Sequence, residues 1–167
     1  KHPDLETISV NPDNAPDAAA LVKWVSEISN PDRSLPAHVF KAPDRGMTDS
    51  STANLSINTK ASLDALSKAT GTHLDQRRFR GNIWVDGFDA WEEFSWIGRR
   101  IRIGEAEFEI TDPIERCMAT TVNPDTGISD CATLATLQSN WGHKDFGVFG
   151  VVAKAGKITL GDTIEVL

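Results

Sequence analysis

The stretch Glu115–Gly127, ERCMATTVNPDTG, gathers the residue types in this chain that are most able to do chemistry. It holds Cys117, one of only two cysteines, directly after Arg116. A thiol acts as a nucleophile or a metal ligand only as the thiolate, a form that a neighbouring cation favours. Adjacent side chains on a strand point to opposite faces, so Arg116 need not face the thiol. Because free cysteines are also often buried as small hydrophobic residues, a packing role for Cys117 stays open.

The other cysteine and the histidines show no metal-binding pattern. Cys131 has only Asp130 as a charged neighbour and falls in an apparent helix, so we interpret it as a packing residue. The sequence contains no Cys-x-x-Cys and no His-x-x-x-His, so we do not expect a zinc site. His143 could in principle serve Cys117 as a base, although no spacing brings the two together. Two cysteines are too few for a disulfide scaffold, so we expect a cytoplasmic protein with free thiols.

The charge distribution argues against one class of partner and leaves room for another. The 167 residues carry a formal net charge of −7, so we expect no nucleic-acid partner, because neutralising phosphates needs a basic surface. Residues 76 to 104 nevertheless carry six arginines against four acidic residues. This segment could hold a small anion, or it could be a solvated strand face. No apolar run approaches the roughly 18 to 20 residues that span a bilayer, so we expect no membrane partner.

The elements that must position these residues are short strands with a few helices. Helical spacing predicts helices over Asp17–Ser29, Thr59–Ala69 and Cys131–Leu137. Alternation and turn residues predict strands at Leu35–Lys41, Leu55–Ile57, Asn82–Val85, Arg100–Ile103, Glu107–Ile110, Val148–Val152, Lys157–Leu160 and Thr163–Val166. Many short strands with glycine turns favour a mainly β fold, a closed or partly closed barrel with flanking helices.

Five blocks of sequence, spread over residues 44 to 167, together resemble the MOSC domain. They are RFRGNIWVDG, IGRRIRIGEAEFEI, ERCMATTVNPDTG, DFGVFGVV and GKITLGDTIEV, and their order and spacing agree with the family. This is the C-terminal domain of molybdenum cofactor sulfurases and the core of amidoxime-reducing molybdoenzymes and their bacterial relatives. The resemblance implies a MOSC-type closed β-barrel over residues 44–167. It also implies that residues 1–43 are the tail of an N-terminal MOSC-associated subdomain whose remainder is absent.

The resemblance implies a molybdenum–pterin cofactor at the thiol. Cys117 stands where the family's molybdenum ligand stands, and is therefore the expected metal-binding and catalytic residue. Arg80 and Asn82 match cofactor-contact positions, where a guanidinium can grip a phosphate and an amide can read pterin edges. The other implied cofactor-binding residues are Glu115 and Arg116, at backbone-contact positions beside the ligand, and Ser51 and Thr52, in the loop before the barrel.

The implied function is an oxidoreductase that reduces N-hydroxylated compounds, with the redox chemistry carried by the cofactor. The sequence ends without a cysteine-rich iron–sulfur domain, so a separate electron-donor protein is expected. No general acid stands out among the candidates Asp145, His143 and Asp86. The alternatives are a sulfur (persulfide) or cofactor carrier that uses Cys117, and a non-catalytic barrel in which Cys117 only packs. As a fragment of the family's full length, the chain alone is expected to be inactive.

Overall fold

The computed structural model describes residues 2–41 and 52–167. The chain forms two compact units, Lys1–Asp49 and Ser50–Leu167. Within the two described ranges, no helix is both long enough and apolar enough to cross a membrane.

Residues 2–41 of the first unit contain one helix, α1 (Ala15–Ser26). Asn14 caps it by accepting a hydrogen bond from the backbone N–H of Asp17, and a proline in the first turn fits a position that needs no N–H donor. The helix predicted over Asp17–Ser29 is therefore confirmed, with both ends two to three residues earlier. The strand predicted over Leu35–Lys41 is wrong, because this segment pairs with no other strand in the described part of the chain.

The second unit is built on one six-stranded sheet in the order β2-β1-β5-β4-β3-β6. Its strands are β1 (Leu55–Thr59), β2 (Ile83–Val85), β3 (Arg100–Ile103), β4 (Ala106–Glu115), β5 (Asp145–Lys154) and β6 (Ile164–Val166). β1 and β2 run parallel, and the other neighbours are antiparallel. The helices of this unit are α2 (Lys60–Thr70), α3 (Thr133–Trp141) and the short 3₁₀ helices Gln76–Phe79, Glu92–Trp96 and Met118–Thr121.

The sheet is an open half-barrel, so the prediction of a closed barrel is wrong. In the described residues β2 pairs only with β1, and β6 pairs only with β3. A groove of about 860 Å³ lies between the two edges, lined by residues 82–88 on one side and 158–164 on the other. The predicted strand Lys157–Leu160 does not form, and Leu160 is fully exposed. The two edge strands, β2 and β6, are each only three residues long and do not pair with each other across this groove, so the barrel stays open.

Two hydrophobic clusters hold the second unit together. One joins all six strands and Trp96, with Ile57, Ile101 and Ile110 fully buried. The other lies where α2 and α3 pack, around Leu66, Leu137 and Phe146. The first cluster fixes the sheet, and the second fixes the loops that carry the candidate site.

The elements beside the site follow local sequence signals. Thr59 caps α2 by accepting from the Ser62 N–H, and Gly71 ends that helix in the left-handed conformation. The hairpin of β3 and β4 forms as predicted around the Gly104-Glu105 turn. β4 runs past its predicted end at Ile110 to Glu115, so it delivers the chain to Cys117.

Candidate functional site

The thiol of Cys117 is exposed at the end of β4. Glu115, the last residue of that strand, pairs with Asp145 of β5, and the Arg116 N–H donates to the carbonyl of Lys144 at 3.0 Å. Cys117 follows in extended backbone and begins the 3₁₀ helix Met118–Thr121. Its side chain is exposed, which contradicts the packing interpretation. Cys131 packs half-buried against the α2–α3 cluster, as predicted.

The 3₁₀ helix Gln76–Phe79 is fastened beside this thiol. Arg78 is buried and donates to the carbonyl oxygen of Thr121 at 3.1 Å and to Asp130 at 2.7 Å. These bonds tie the helix to the chain that follows Cys117. Arg80 directly follows this 3₁₀ helix and therefore lies in the same part of the unit as Cys117. We call this part of the unit the corner.

Arg80 and Asn82 both have exposed polar side chains. Arg80 has left-handed backbone, with φ 50°, and an exposed side chain. Its guanidinium has no hydrogen-bond or ion-pair partner among the residues that the structure describes. The Oδ1 of Asn82 accepts from the N–H and the hydroxyl of Ser56, at 2.9 and 3.0 Å. These two bonds fix the amide plane of Asn82 and leave its Nδ2 to donate elsewhere.

The side chain of Arg116 points into the protein. Its guanidinium donates to the carbonyls of Phe146 and Phe79, at 2.8 and 2.9 Å, and to Oδ1 of Asn58 at 2.8 Å. Burial lowers the pKa of Arg116 to about 10, and the adjacent Cys117 partly offsets this shift. Arg116 therefore stays charged at pH 7. In the described ranges it forms no ion pair with a carboxylate.

The other predicted cofactor-binding residues are Arg116, Glu115, Thr52 and Ser51. The backbone N–H of Arg116 is already bonded within the fold, so a cofactor contact there would use its carbonyl oxygen. Glu115 is exposed beside it, and Thr52 is exposed shortly before β1. Ser51 lies outside the described residues. Hydrogen bonds thus join the segment before Arg80 to residues on both sides of Cys117, whereas Asn82 is bonded to Ser56 of β1. The binding of a cofactor by these residues stays a prediction.

Among the candidate general acids, Asp145 pairs with Glu115, two residues before Cys117, while His143 and Asp86 make contacts of their own. The ring of His143 packs edge-on against Phe94, and its Nδ1 accepts from the Asp145 N–H at 3.1 Å. Asp86 accepts from the Gly87 N–H and from Lys60, and these two bonds lower the pKa of its carboxyl. A carboxyl held ionised in this way is a poor proton donor at neutral pH.

Sequence reasoning missed Asn58. It is fully buried in β1, and its Nδ2 has no hydrogen-bond partner in the part of the chain that the structure describes. A Cβ at Gly81 would collide with Asn58 Nδ2, and one at Gly147 would collide with Asn58 Oδ1. The signal in the sequence was the pair of glycines, one between Arg80 and Asn82 and one near the start of β5.

The donor set around Cys117 suits a metal that arrives with its own ligands. Within residues 2–41 and 52–167, no group of three or more His, Cys, Asp or Glu side chains could hold a metal ion. A bare ion at Cys117 would have one thiolate and too few further donors. A metal already chelated by a larger sulfur-rich ligand needs only such a thiolate and polar groups that grip the rest.

Comparison with known proteins agrees with this arrangement. The family model described as MOSC domain matches residues 44–165. Mitochondrial amidoxime reducing component 2 from Homo sapiens is 34% identical over 122 residues, which cover 66% of this chain and 36% of that protein. Mitochondrial amidoxime-reducing component 1 from Homo sapiens is 32% identical over 143 residues, which cover 78% of this chain and 42% of that protein. The chain thus spans about two fifths of the length of these curated relatives.

A solved structure supports the fold alone. The YuaD protein from Bacillus subtilis superposes with a TM-score of 0.52 at 18% identity, over 81% of this chain and 70% of that one. The family match covers β1 to β5, the first two residues of β6, and the chain around Cys117. This chain belongs to the MOSC domain family.

Proposed function

We propose that this chain is the molybdenum-cofactor-binding part of an oxidoreductase that reduces N-hydroxylated compounds. The observation that carries the proposal is the exposed thiol of Cys117, close to the segment that ends at Arg80. The guanidinium of Arg80 is exposed and has no partner among the residues that the structure describes. The two human relatives are named for reducing amidoximes, which are N-hydroxylated compounds. These names supply the substrate class, and the corner supplies groups suited to the cofactor.

In this proposal Cys117 is the protein's ligand to molybdenum. Its side chain is exposed, so a bulky chelated metal can approach without unfolding the strand end. A thiolate is a soft ligand, and a bound metal holds the sulfur deprotonated. Cys131 is half-buried in the α2–α3 cluster and takes no part.

Arg80 and Asn82 would grip the organic part of the cofactor. The guanidinium of Arg80 can bind a phosphate group through two parallel hydrogen bonds, and it gives up no internal bond to do so. The amide plane of Asn82 is fixed by Ser56, so its Nδ2 can donate in a set direction to an acceptor on the pterin. Glu115, Arg116 through its carbonyl oxygen, Ser51 and Thr52 complete the predicted contacts.

The protein's own contribution is binding and orientation. When bound, the cofactor supplies the oxygen-atom and electron chemistry. We further propose that a separate protein delivers the electrons, and that the protein works in the cytoplasm, where both thiols stay reduced. The second candidate function is a persulfide or cofactor carrier, which the exposure of Cys117 also favours.

Molybdenum content per chain tests the proposal. The wild-type chain, Cys117→Ser and the matched control Cys131→Ser would be made in a host that synthesises the cofactor. We expect near-stoichiometric molybdenum in wild type and in C131S, and a trace in C117S, because only Cys117 is exposed at the site. Equal trace metal in all three proteins would contradict the molybdenum ligand role. Intact mass then decides the alternative, because a carrier would show extra sulfur on Cys117.

A further inference from the structure

A buried arginine and a half-buried one bracket the exposed thiol in the chain. Arg116 directly precedes Cys117, and Arg78 donates to the carbonyl of Thr121, four residues after it. We call Arg78 and Arg116 the arginine clamp. Neither side chain is exposed, so neither is suited to direct contact with a cofactor at the surface.

Arg116 joins three segments that are far apart in sequence. Its three hydrogen bonds reach Asn58 on β1, the carbonyl of Phe79 and the carbonyl of Phe146 on β5. The rings of Phe79 and Phe146 lie 5.6 and 5.8 Å from the guanidinium carbon. A planar group with donors along its edges is needed to satisfy such a site, and a lysine ammonium cannot span it. The Phe79 bond is the one that fixes the position of the neighbouring Arg80.

Arg78 closes the other side of the same loop. Its side chain is 3% exposed and bonds to Asp130 at 2.7 Å, beyond the 3₁₀ helix that Cys117 begins. Charged hydrogen bonds in such a buried place are stronger than neutral ones. Because one residue before Cys117 and one after it are both bonded to the Gln76–Phe79 segment, the thiol and Arg80 cannot move independently.

The guanidinium of Arg116 also places a positive charge near Cys117. Apart from the Phe and Asn oxygens, Arg116 has no acceptor in the described ranges, and none of those oxygens carries a charge. An anionic ligand at the adjacent Cys117 would be favoured by this charge. An anionic ligand at Cys117 would offset part of the free energy that burying the Arg116 cation costs.

We propose that Arg78 and Arg116 are positioning residues, whose side chains touch no cofactor and set the place of Arg80 relative to Cys117. The proposal rests on the proposed function, because it assigns these two residues to the same cofactor site. It predicts that loosening the clamp disorders the corner while the sheet stays intact.

Amide hydrogen exchange in the cofactor-free 167-residue chain tests the clamp without any activity measurement. The variants are Arg116→Lys and the milder Asp130→Asn, with Arg100→Lys, an exposed arginine on β3, as the control. The reporters are the N–H groups of Arg80 and Thr120, which donate to local backbone carbonyls. We expect their exchange to rise about tenfold in both variants, as for the loss of one charged hydrogen bond, and to stay unchanged in R100K.

The sheet supplies the comparison within each variant. The Ile110 N–H, bonded to the Arg99 carbonyl, should exchange at the wild-type rate. If exchange rises equally at Ile110 and at the corner, the arginines only stabilise the fold and the proposal is overturned. Unchanged exchange at Arg80 and Thr120 in both variants would overturn it too.

Molybdenum content gives a second readout and separates the two proposals. With the cofactor supplied, R116K should keep at most about a tenth of the wild-type molybdenum while its melting temperature stays within a few degrees. Equal molybdenum in wild type and R116K would overturn the positioning role and leave the proposed function standing. Absence of molybdenum from wild type would instead count against the proposed function, and the exchange experiment would still decide the clamp.

Discussion

At the scale of single residues, Glu93 is a carboxylic acid buried without a cation. It is fully buried, its Oε2 accepts from the hydroxyls of Thr59 and Ser62 at 3.1 and 2.9 Å, and its Oε1 has no partner. Burial raises the pKa of Glu93 above its ordinary value. The folded state therefore holds a proton that the unfolded state releases above about pH 4.3. Stability must fall as pH rises from there to the raised pKa, and then level off.

We expect Glu93→Gln to remove most of this pH dependence, because glutamine fills the same space without a charge to desolvate. Denaturant unfolding at pH 5 and pH 7 measures it: wild type should lose stability between the two, and E93Q should lose clearly less. Glu109→Gln, an exposed position on β4, is the control and should follow wild type. If E93Q is destabilised by the same amount at both pH values, the acid is not held protonated by the fold.

At the scale of elements, β5 can pass β1 only because residue 147 is glycine. Gly147 has φ 75°, and a Cβ there would meet Asn58 Oδ1 and lie 2.8 Å from the carbonyl oxygen of Ile57. We expect Gly147→Ala to lower the free energy of unfolding by about 2–4 kcal/mol, from left-handed strain together with overpacking. Chemical denaturation measures the loss.

Gly98→Ala separates the two causes. Gly98 has φ 80° but nothing lies within 4 Å of its Cβ position, so only the conformational strain applies there. Its expected cost is about 1–2 kcal/mol. Equal losses in the two variants would mean that the close approach of β5 to Asn58 contributes nothing.

The elements that sequence reasoning predicted correctly are those with local signals. The helical spacing over residues 59–69 and the alternation of β3 and β4 both lie within a few residues of what they specify. The segment Lys157–Leu160 alternates just as well, yet it forms no strand. A strand needs a partner, and the sequence of one segment does not reveal whether the sheet offers an edge there.

The candidate site likewise contains residues that the sequence pointed to and contacts that it did not reveal. Cys117 and Arg80 were singled out from residue types and from the family resemblance, and their binding of a cofactor stays a prediction. The inward turn of Arg116 and its bond to Asn58 were not predicted, because they join residues 58 positions apart. Pairing over such distances is fixed by the packing of β1, β4 and β5, which no local pattern records.

At the scale of the whole molecule, the second unit carries its own core. Both of its hydrophobic clusters draw only on residues between Leu55 and Val166. We therefore expect residues 50–167 alone to unfold in one cooperative transition, with a melting temperature within about 5 °C of the full chain. Circular dichroism of the two proteins measures this, and it also tests the predicted division of the chain near residue 43.

Ile57→Ala in the shortened chain shows whether the assay detects loss of the core. Ile57 is fully buried in β1, so its truncation should cost about 2–5 kcal/mol and lower the melting temperature clearly. If residues 50–167 melt without cooperativity, or if I57A has no effect on them, the first 49 residues supply part of the sheet's stability. A cooperative transition that I57A weakens would mean that the corner with Cys117 can be studied on the sheet unit alone, because its supporting core is complete there.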